Sequence, residues 1–260
     1  MLPVHADLIT FTQAQANQFV EEVVWPMTRI LAFIAVAPLF SSGWLPTLWR
    51  LGFGVACAWA VIPALPPMMP WPGMGGALVV ILAQAVTGLS IGLLFRFLVG
   101  MFEFAGGWIA LTMGLGFATT ISSQYGEQSS TLSDIFKFGV VFLLIADGGI
   151  MGMLHVLSES FQVVPVGLYW PRWNWRHLAG FGQMFFTEGV LIAMPVVLML
   201  MVVNVGMAII ARVAPQINLF AIGFPVMILV GMAGTYVLVP YLPRMVSHLF
   251  LLLTSNLLPG

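Results

Sequence analysis

Charge is what this sequence lacks most. Of its 260 residues only 8 are basic and 9 acidic, so that 7% of the chain is charged, whereas ordinary soluble domains are about 25% charged. A soluble fold of this length would leave most of its surface without a polar coat. The apolar share is 60% and the mean hydropathy is +1.04. Together these values predict an integral membrane protein.

Several other absences exclude classes of function. The net charge of −1 and the lack of any basic run argue against nucleic-acid binding. The single cysteine, Cys57, allows neither an intrachain disulfide nor a cysteine metal cluster. The four histidines share no metal-ligand spacing, and the sequence has no nucleophile elbow, phosphate-binding loop or zinc-protease motif. We therefore predict no enzyme activity, no metal and no cofactor.

The opening Met1–Asn17 lacks a basic stretch followed by an apolar core, so it does not resemble a cleaved signal peptide.

Apolar segments of membrane-spanning length dominate what is present. A helix needs about 20 apolar residues to cross the hydrocarbon layer, and five or six segments meet that length, while Phe104–Ala118 is too short to count with the others. The segments are Val23–Phe40, Leu51–Met69, Ala77–Phe102, Phe104–Ala118, Phe136–Leu157, Met184–Ala211 and Ile217–Leu242, followed by a shorter tail, Leu249–Leu258. Backbone groups in lipid must be hydrogen-bonded internally, so the segments are predicted to be helices.

Glycine and proline mark the points where helices meet or break. Gly88–Gly92 and Gly148–Gly152 have the spacing that lets two helix backbones approach closely in lipid, although chance among 27 glycines explains such pairs equally well. Pro195 lies within an apolar run and is expected to kink it. Pro215 and Pro225 enclose a stretch with Gln216, Asn218 and Gly223, which predicts an interrupted helix or a hairpin tip.

The charged residues in or beside the apolar segments include Arg96, Glu103, Lys137, Asp147, Glu188 and Arg212. A charge at the bilayer centre costs roughly 2.5–3.5 kcal/mol on insertion scales unless it is paired or hydrated. One interpretation is a proton or ion pathway, and the other is pairing between helices or between subunits. Because no chain of carboxylates and histidines is visible, we favour pairing.

The stretch Thr112–Asp134 differs from the rest of the sequence. It begins with Met113-Gly-Leu-Gly-Phe117 and becomes polar through Thr119–Ser133. An apolar tip followed by a polar loop could block a pore, but a surface loop has the same composition. Both interpretations are open from composition alone.

Five stretches, in order along the chain, together resemble the FliR/SctT family of export-gate subunits from type III secretion systems. The stretches are Trp25-Pro-Met-Thr-Arg29, Gly88-Leu-Ser-Ile-Gly-Leu93, Met113-Gly-Leu-Gly-Phe-Ala118, Ser160-Phe161 with Val164-Pro-Val-Gly167, and Arg212-Val-Ala-Pro-Gln-Ile-Asn-Leu-Phe-Ala-Ile-Gly-Phe-Pro225. The sequence departs from the family in Thr119–Gln124, where an Asp-Pro is common, and at Asp147-Gly-Gly149, where Asn-Gly-His is common. The shape of the loop after Phe117 therefore does not follow from the resemblance, and no histidine role carries over.

The resemblance implies a fold and an assembly. It implies an all-α membrane protein of helical hairpins, with a FliP-like part (1–183) followed by a FliQ-like hairpin (184–260), packed in a hetero-oligomeric spiral. One copy would join FliP and FliQ, with FlhB and FlhA as further partners, in the flagellar basal body of the bacterial inner membrane. In such a spiral Arg96, Glu103, Lys137 and Glu188 would face neighbouring subunits, and Pro215–Pro225 would be the family motif at the helix break.

The resemblance also implies a mechanism, namely a gated channel for unfolded flagellar proteins. Met113, Gly114, Leu115, Gly116 and Phe117 would form a plug, since apolar side chains close a pore by expelling water, and Gly106 and Gly107 would be a hinge. Three alternatives are the corresponding subunit of a virulence-type export gate, a scaffold that lines no channel, and a small-solute secondary transporter that uses the broken helix as its binding site.

Overall fold

The chain folds into helices throughout its described part. A computed structural model describes residues 19–40, 46–65, 72–115, 130–167, 175–214 and 219–257, and every regular element in these ranges is helical. The α-helices are α1 (Trp25–Val36), α2 (Thr47–Val61), α3 (Gly73–Thr112), α4 (Thr131–Ala146), α5 (Gly149–Val163), α6 (Trp175–Val213), α7 (Leu219–Leu238) and α8 (Leu242–Leu257). A π-helical turn, Val20–Val24, precedes α1, and 3₁₀ turns follow α2 and α7 at Ile62–Ala64 and Val239–Tyr241.

Three helical stretches are long and apolar enough to cross a membrane within the described ranges. They are Gly75–Thr112, Gly180–Val213 and Ile222–Ser255, the last of which joins α7 to α8. A fourth span is possible if α4 and α5 count as one, although they meet at an angle of 74°. The predicted class, an all-α membrane protein, is confirmed.

The number of spans and two segment boundaries differ from the sequence-based expectation. The described ranges contain three or four candidate spans, whereas the sequence predicted five or six. Ala77–Phe102 and Phe104–Ala118 are not separate segments, because α3 runs through Glu103 without a break and ends at Thr112. Conversely, the single predicted segment Phe136–Leu157 is split at Asp147 and Gly148, where Gly148 has a φ of +72° that side chains disfavour.

The first compact unit consists of residues 1–93 and 154–172. In it α1 packs on α2 and, on another side, on the first half of α3. A Cβ built on Gly92 would lie 2.7 Å from the carbonyl oxygen of Phe33, and one built on Gly88 would collide with the carbonyl oxygen of Arg29. The Gly88–Gly92 spacing is therefore a close backbone contact between α1 and α3.

The second compact unit consists of residues 94–153 and 173–260. In it α6 and α7 form a helical hairpin, and α8 packs on α4. The second half of α3 packs on α6 through aromatic rings, with Phe104 against Phe185 and Phe186. The Gly148–Gly152 spacing does not form a helix seam, because Gly148 lies in the bend, whereas Gly152 alone packs against the ring of Phe250.

Candidate functional site

The candidate gate begins where α3 ends. The N–H of Gly114 donates to the carbonyl of Leu111 at 3.0 Å, and the N–H of Leu115 donates to the carbonyl of Ala110 at 3.0 Å. Gly114 has a φ of +84°. These two bonds with a left-handed glycine form a Schellman motif, which satisfies the last carbonyls of a helix. Gly114 therefore has a defined structural role as the cap of α3.

The side chain of Met113 is buried at this helix end, with 2% of its surface exposed. It lies against the backbone of Gly231 in α7, since a Cβ built on that glycine would stand 2.6 Å from Sδ and 2.7 Å from Cε of Met113. The ring of Phe224, also in α7, lies against Gly114, where a built Cβ would be 2.7 Å from its Cε1. Leu115 is half-buried, and Gly116 and Phe117 lie outside the described residues.

The two glycines predicted as a hinge lie in the interior of α3 and pack on the start of α4. A Cβ on Gly106 would be 2.9 Å from the carbonyl oxygen of Leu132, and one on Gly107 would be 2.9 Å from Oγ of Ser133. Ser130 caps α4 by accepting the N–H of Ser133 at 3.2 Å. The glycines thus allow α3 and α4 to approach closely, and their role as a hinge stays a prediction.

Glu103 and Lys137, which the sequence places in different helices, form an ion pair. Nζ of Lys137 lies 3.1 Å from Oε1 of Glu103, and both side chains are about one-third exposed (33% and 37%). The carboxylate lines an open, mainly apolar groove of about 500 Å³ between α3, α4 and α6, together with Phe104, Trp108 and Phe185. The pair therefore joins α3 to α4 at the edge of an apolar surface.

The other predicted charged residues differ in burial and in their contacts. Asp147 accepts a hydrogen bond from Oγ of Ser247 in α8 at 2.9 Å, which makes it an interhelix contact. Glu188 is half-buried on α6, while Arg96 on α3 and Arg212 in the last turn of α6 are exposed. In the described ranges no group of three or more histidine, cysteine or acidic side chains is arranged to hold a metal ion.

The helix break is shorter than the sequence indicated. Residue 213 ends α6 and Leu219 begins α7, so Gly223 and Pro225 lie inside α7 and not in the break. The other motif residues, Pro215, Gln216 and Asn218, lie outside the described residues. Pro195 lies inside α6, which continues through it.

Sequence reasoning missed a buried cluster around Arg29 in the first unit. The arginine is fully buried, and its guanidinium donates from Nε to Oε1 of Gln84 (2.8 Å), from Nη1 to the carbonyl of Ser160 (2.9 Å) and from Nη2 to the carbonyl of Val164 (2.7 Å). It also lies 4.0 Å from the ring centre of Phe161. Every one of these partners is uncharged. Arg29 thereby ties α1 to α3 and to the carboxyl end of α5.

The signal for this cluster was present in the sequence. Arg29, Ser160-Phe161 and Val164 all lie in the stretches that carry the family resemblance, and Gly88, which contacts Arg29 through its backbone, lies in a third. These stretches are far apart in sequence, but the fold brings them to one place.

The fold and this geometry define a class of protein: a helical membrane protein whose second unit buries an apolar helix end beside a long helical hairpin. The model of the family "Bacterial export proteins, family 1" matches residues 20–253. The chain belongs to that family.

Individual relatives cover almost the whole chain. The flagellar biosynthetic protein FliR of Pectobacterium carotovorum subsp. carotovorum is 29% identical over 249 residues, which is 94% of each chain. FliR of Escherichia coli K12 is 28% identical over 244 residues, again 94% of each. The Yop proteins translocation protein T of Yersinia pestis is 24% identical over 229 residues, covering 85% of this chain and 86% of that one. The resemblance to the FliR family is confirmed.

Proposed function

We propose that this chain is one subunit of the flagellar type III export gate and forms, with FliP and FliQ, a gated channel for unfolded flagellar proteins across the inner membrane. The observation that carries the proposal is the similarity to FliR proteins over nearly the full length of both chains. The flagellar assignment is favoured over the virulence-type one because the FliR relatives are more similar than the Yop translocation protein. FlhB and FlhA are proposed as further partners in the basal body.

The hairpin of α6 and α7 supports the proposed division of the chain. Its two helices are consecutive and pack on each other, as expected for a FliQ-like hairpin within 184–260. The proposed boundary with a FliP-like part at 1–183 lies inside α6, which begins at Trp175. Only 28% of the most apolar 18-residue stretch of α6 is buried by the rest of the chain. Such a surface is suited to contact with lipid and with neighbouring apolar helices.

The end of α3 supports the proposed plug. Met113, Gly114 and Leu115 directly follow α3 and begin the segment that the family resemblance assigns to the channel. Apolar side chains at a constriction close a pore to ions by excluding water, and the first three plug positions have no ionisable group. Arg96, Glu188 and Arg212 are proposed to meet neighbouring subunits. No reaction is catalysed in this mechanism.

A crosslinking experiment tests the channel role. A photoreactive phenylalanine analogue at position 117 should crosslink to a flagellar export substrate that is stalled in the complete apparatus. The same analogue at Phe142, which is 70% exposed on α4, should crosslink to neighbouring subunits or lipid but not to the substrate. Substrate crosslinks at neither position, in cells that still export, would leave only a scaffold role.

Two further measurements distinguish the gate from its alternatives. Deletion of residues 113–126 should make the membrane leak ions and slow growth, and a tight membrane would count against the plug. The purified chain in liposomes should move no small solute without its partners, whereas a secondary transporter would do so alone.

A further inference from the structure

Two residues of α7, Gly231 and Phe224, contact the end of α3. We propose that Gly231 and Phe224 are positioning residues that latch the end of α3 in its closed arrangement, so that the channel opens only when Met113 leaves the notch at Gly231. This inference rests on the proposed gate function and adds to it the contact that controls opening. Neither residue belongs to the plug itself.

The first half of the latch is the Met113–Gly231 contact. Because Gly231 has no side chain, it leaves a notch in the surface of α7, and the thioether of Met113 fills it, with both residues buried. Methionine is unbranched and has three rotatable side-chain bonds, so it adapts to a narrow gap. It can also leave such a gap by changing rotamer, which a β-branched side chain does less readily.

The second half of the latch is the ring of Phe224 on Gly114. Any side chain at position 114 would collide with the ring, since a built Cβ would lie 2.7 Å from Cε1 and 2.9 Å from Cδ1. Gly114 is also the left-handed residue of the Schellman motif. The ring therefore rests on the backbone at the residue where the chain leaves α3, next to the proposed plug.

The chemistry of the two contacts suits a latch that must open. The thioether and the phenyl ring carry no strong hydrogen-bonding group, so their release leaves no buried donor or acceptor of these side chains unpaired. These two side-chain contacts act through packing. The stability of the closed state should then depend on the fit between the methionine and the glycine notch.

The test adds one methyl group to the notch, in cells whose complete export apparatus carries the variant chain. Gly231→Ala forces Met113 out, and we expect the leak of Na⁺ into the cells to rise about tenfold, equivalent to about 1.4 kcal/mol lost from the closed state. In the double variant with Met113→Ala the clash is removed, and the leak should fall well below that of Gly231→Ala. Phe224→Ala should raise the leak through the second contact.

A matched control lies three residues along the same helix. A Cβ on Gly234 would collide with Cε of Met199 in α6 and lie 3.1 Å from Cγ1 of Val196. Gly234→Ala therefore disturbs the packing of a methionine against a glycine of α7 without touching α3. It should leave the membrane tight when the chain accumulates to the same level.

The outcomes separate the latch from the gate. Equal leaks from Gly231→Ala and Gly234→Ala, or a leak that Met113→Ala does not reduce, would overturn the latch. A tight membrane with Gly231→Ala, at unchanged protein level, overturns the latch alone if deletion of residues 113–126 still leaks. If that deletion is also tight, the proposed gate function fails together with the latch.

Discussion

Replacement of Arg29 by lysine tests whether the buried guanidinium holds the first unit together. The wild-type side chain points three groups at three places: Nε to Gln84, Nη1 to Ser160 and Nη2 to Val164. A single ammonium group cannot reach all three. Arg29→Lys therefore buries a cation that has no carboxylate within its cluster and leaves acceptors without a donor.

The size of the effect follows from the acceptors that lose their donor. The carbonyl of Ser160 keeps the N–H of Val164 at 2.9 Å, and the carbonyl of Val164 is only part-buried, so water can replace its donor. The amide oxygen of Gln84 is buried, and an unsatisfied buried acceptor costs about 1–3 kcal/mol. At about 2–4 °C per kcal/mol for a domain of this size, a loss of about 2 kcal/mol lowers the Tm by about 4–8 °C.

The assay is thermal unfolding of the export complex in detergent, followed by protease resistance of this chain. Arg244→Lys is the control, because Arg244 is exposed on α8 and surface substitutions usually change stability by less than about 0.5 kcal/mol. If Arg29→Lys and Arg244→Lys both left the Tm within about 2 °C of the wild type, the account of Arg29 as a buried tie would be refuted.

Two further substitutions test the contacts that join helices within each unit. Gly88→Ala should destabilise the first unit by about 1–3 kcal/mol, because the new Cβ would collide with the backbone carbonyl of Arg29 and the helix backbone would have to shift. Gly139→Ala is the control in the same unfolding assay, because a Cβ at that position has nothing within 4 Å. Lys137→Glu should reduce flagellar secretion by placing two carboxylates side by side, and Glu103→Lys in the same chain should restore secretion. A double variant that does not regain secretion would argue against the Glu103–Lys137 ion pair.

The membrane class and the helical content could be predicted from composition and apolar runs, because these depend on averages over many residues. The boundaries of the helices were harder to predict from the sequence. Glu103 was taken as a boundary between segments, but its pairing with Lys137 allows a carboxylate in the middle of α3. The bend at Gly148 was hidden because apolar residues continue on both sides of it.

The candidate site was predictable only where residues are close in sequence. Met113–Phe117 stands out as one short stretch, whereas Gly231 and Phe224 carry no local sign that they contact it. The Arg29 cluster joins residues separated by 55, 131 and 135 positions. Hydropathy registers Arg29 only as a charge within α1. The stretches that resemble the family do not show which of their residues meet, so the uncharged partners of that arginine could not be identified from the sequence alone.

The uncovered face of α6 gives a physical reason why this chain needs neighbours. Large apolar side chains are exposed along it from Phe186 to Val213, a distance of about 40 Å at about 1.5 Å per residue. The hydrocarbon core is about 30 Å thick, so covering the whole stripe with lipid would require a tilt of about 41°, at the upper end of the usual range of about 0–40°. Contact with other subunits, as the proposed assembly supplies, would cover the stripe without such a tilt.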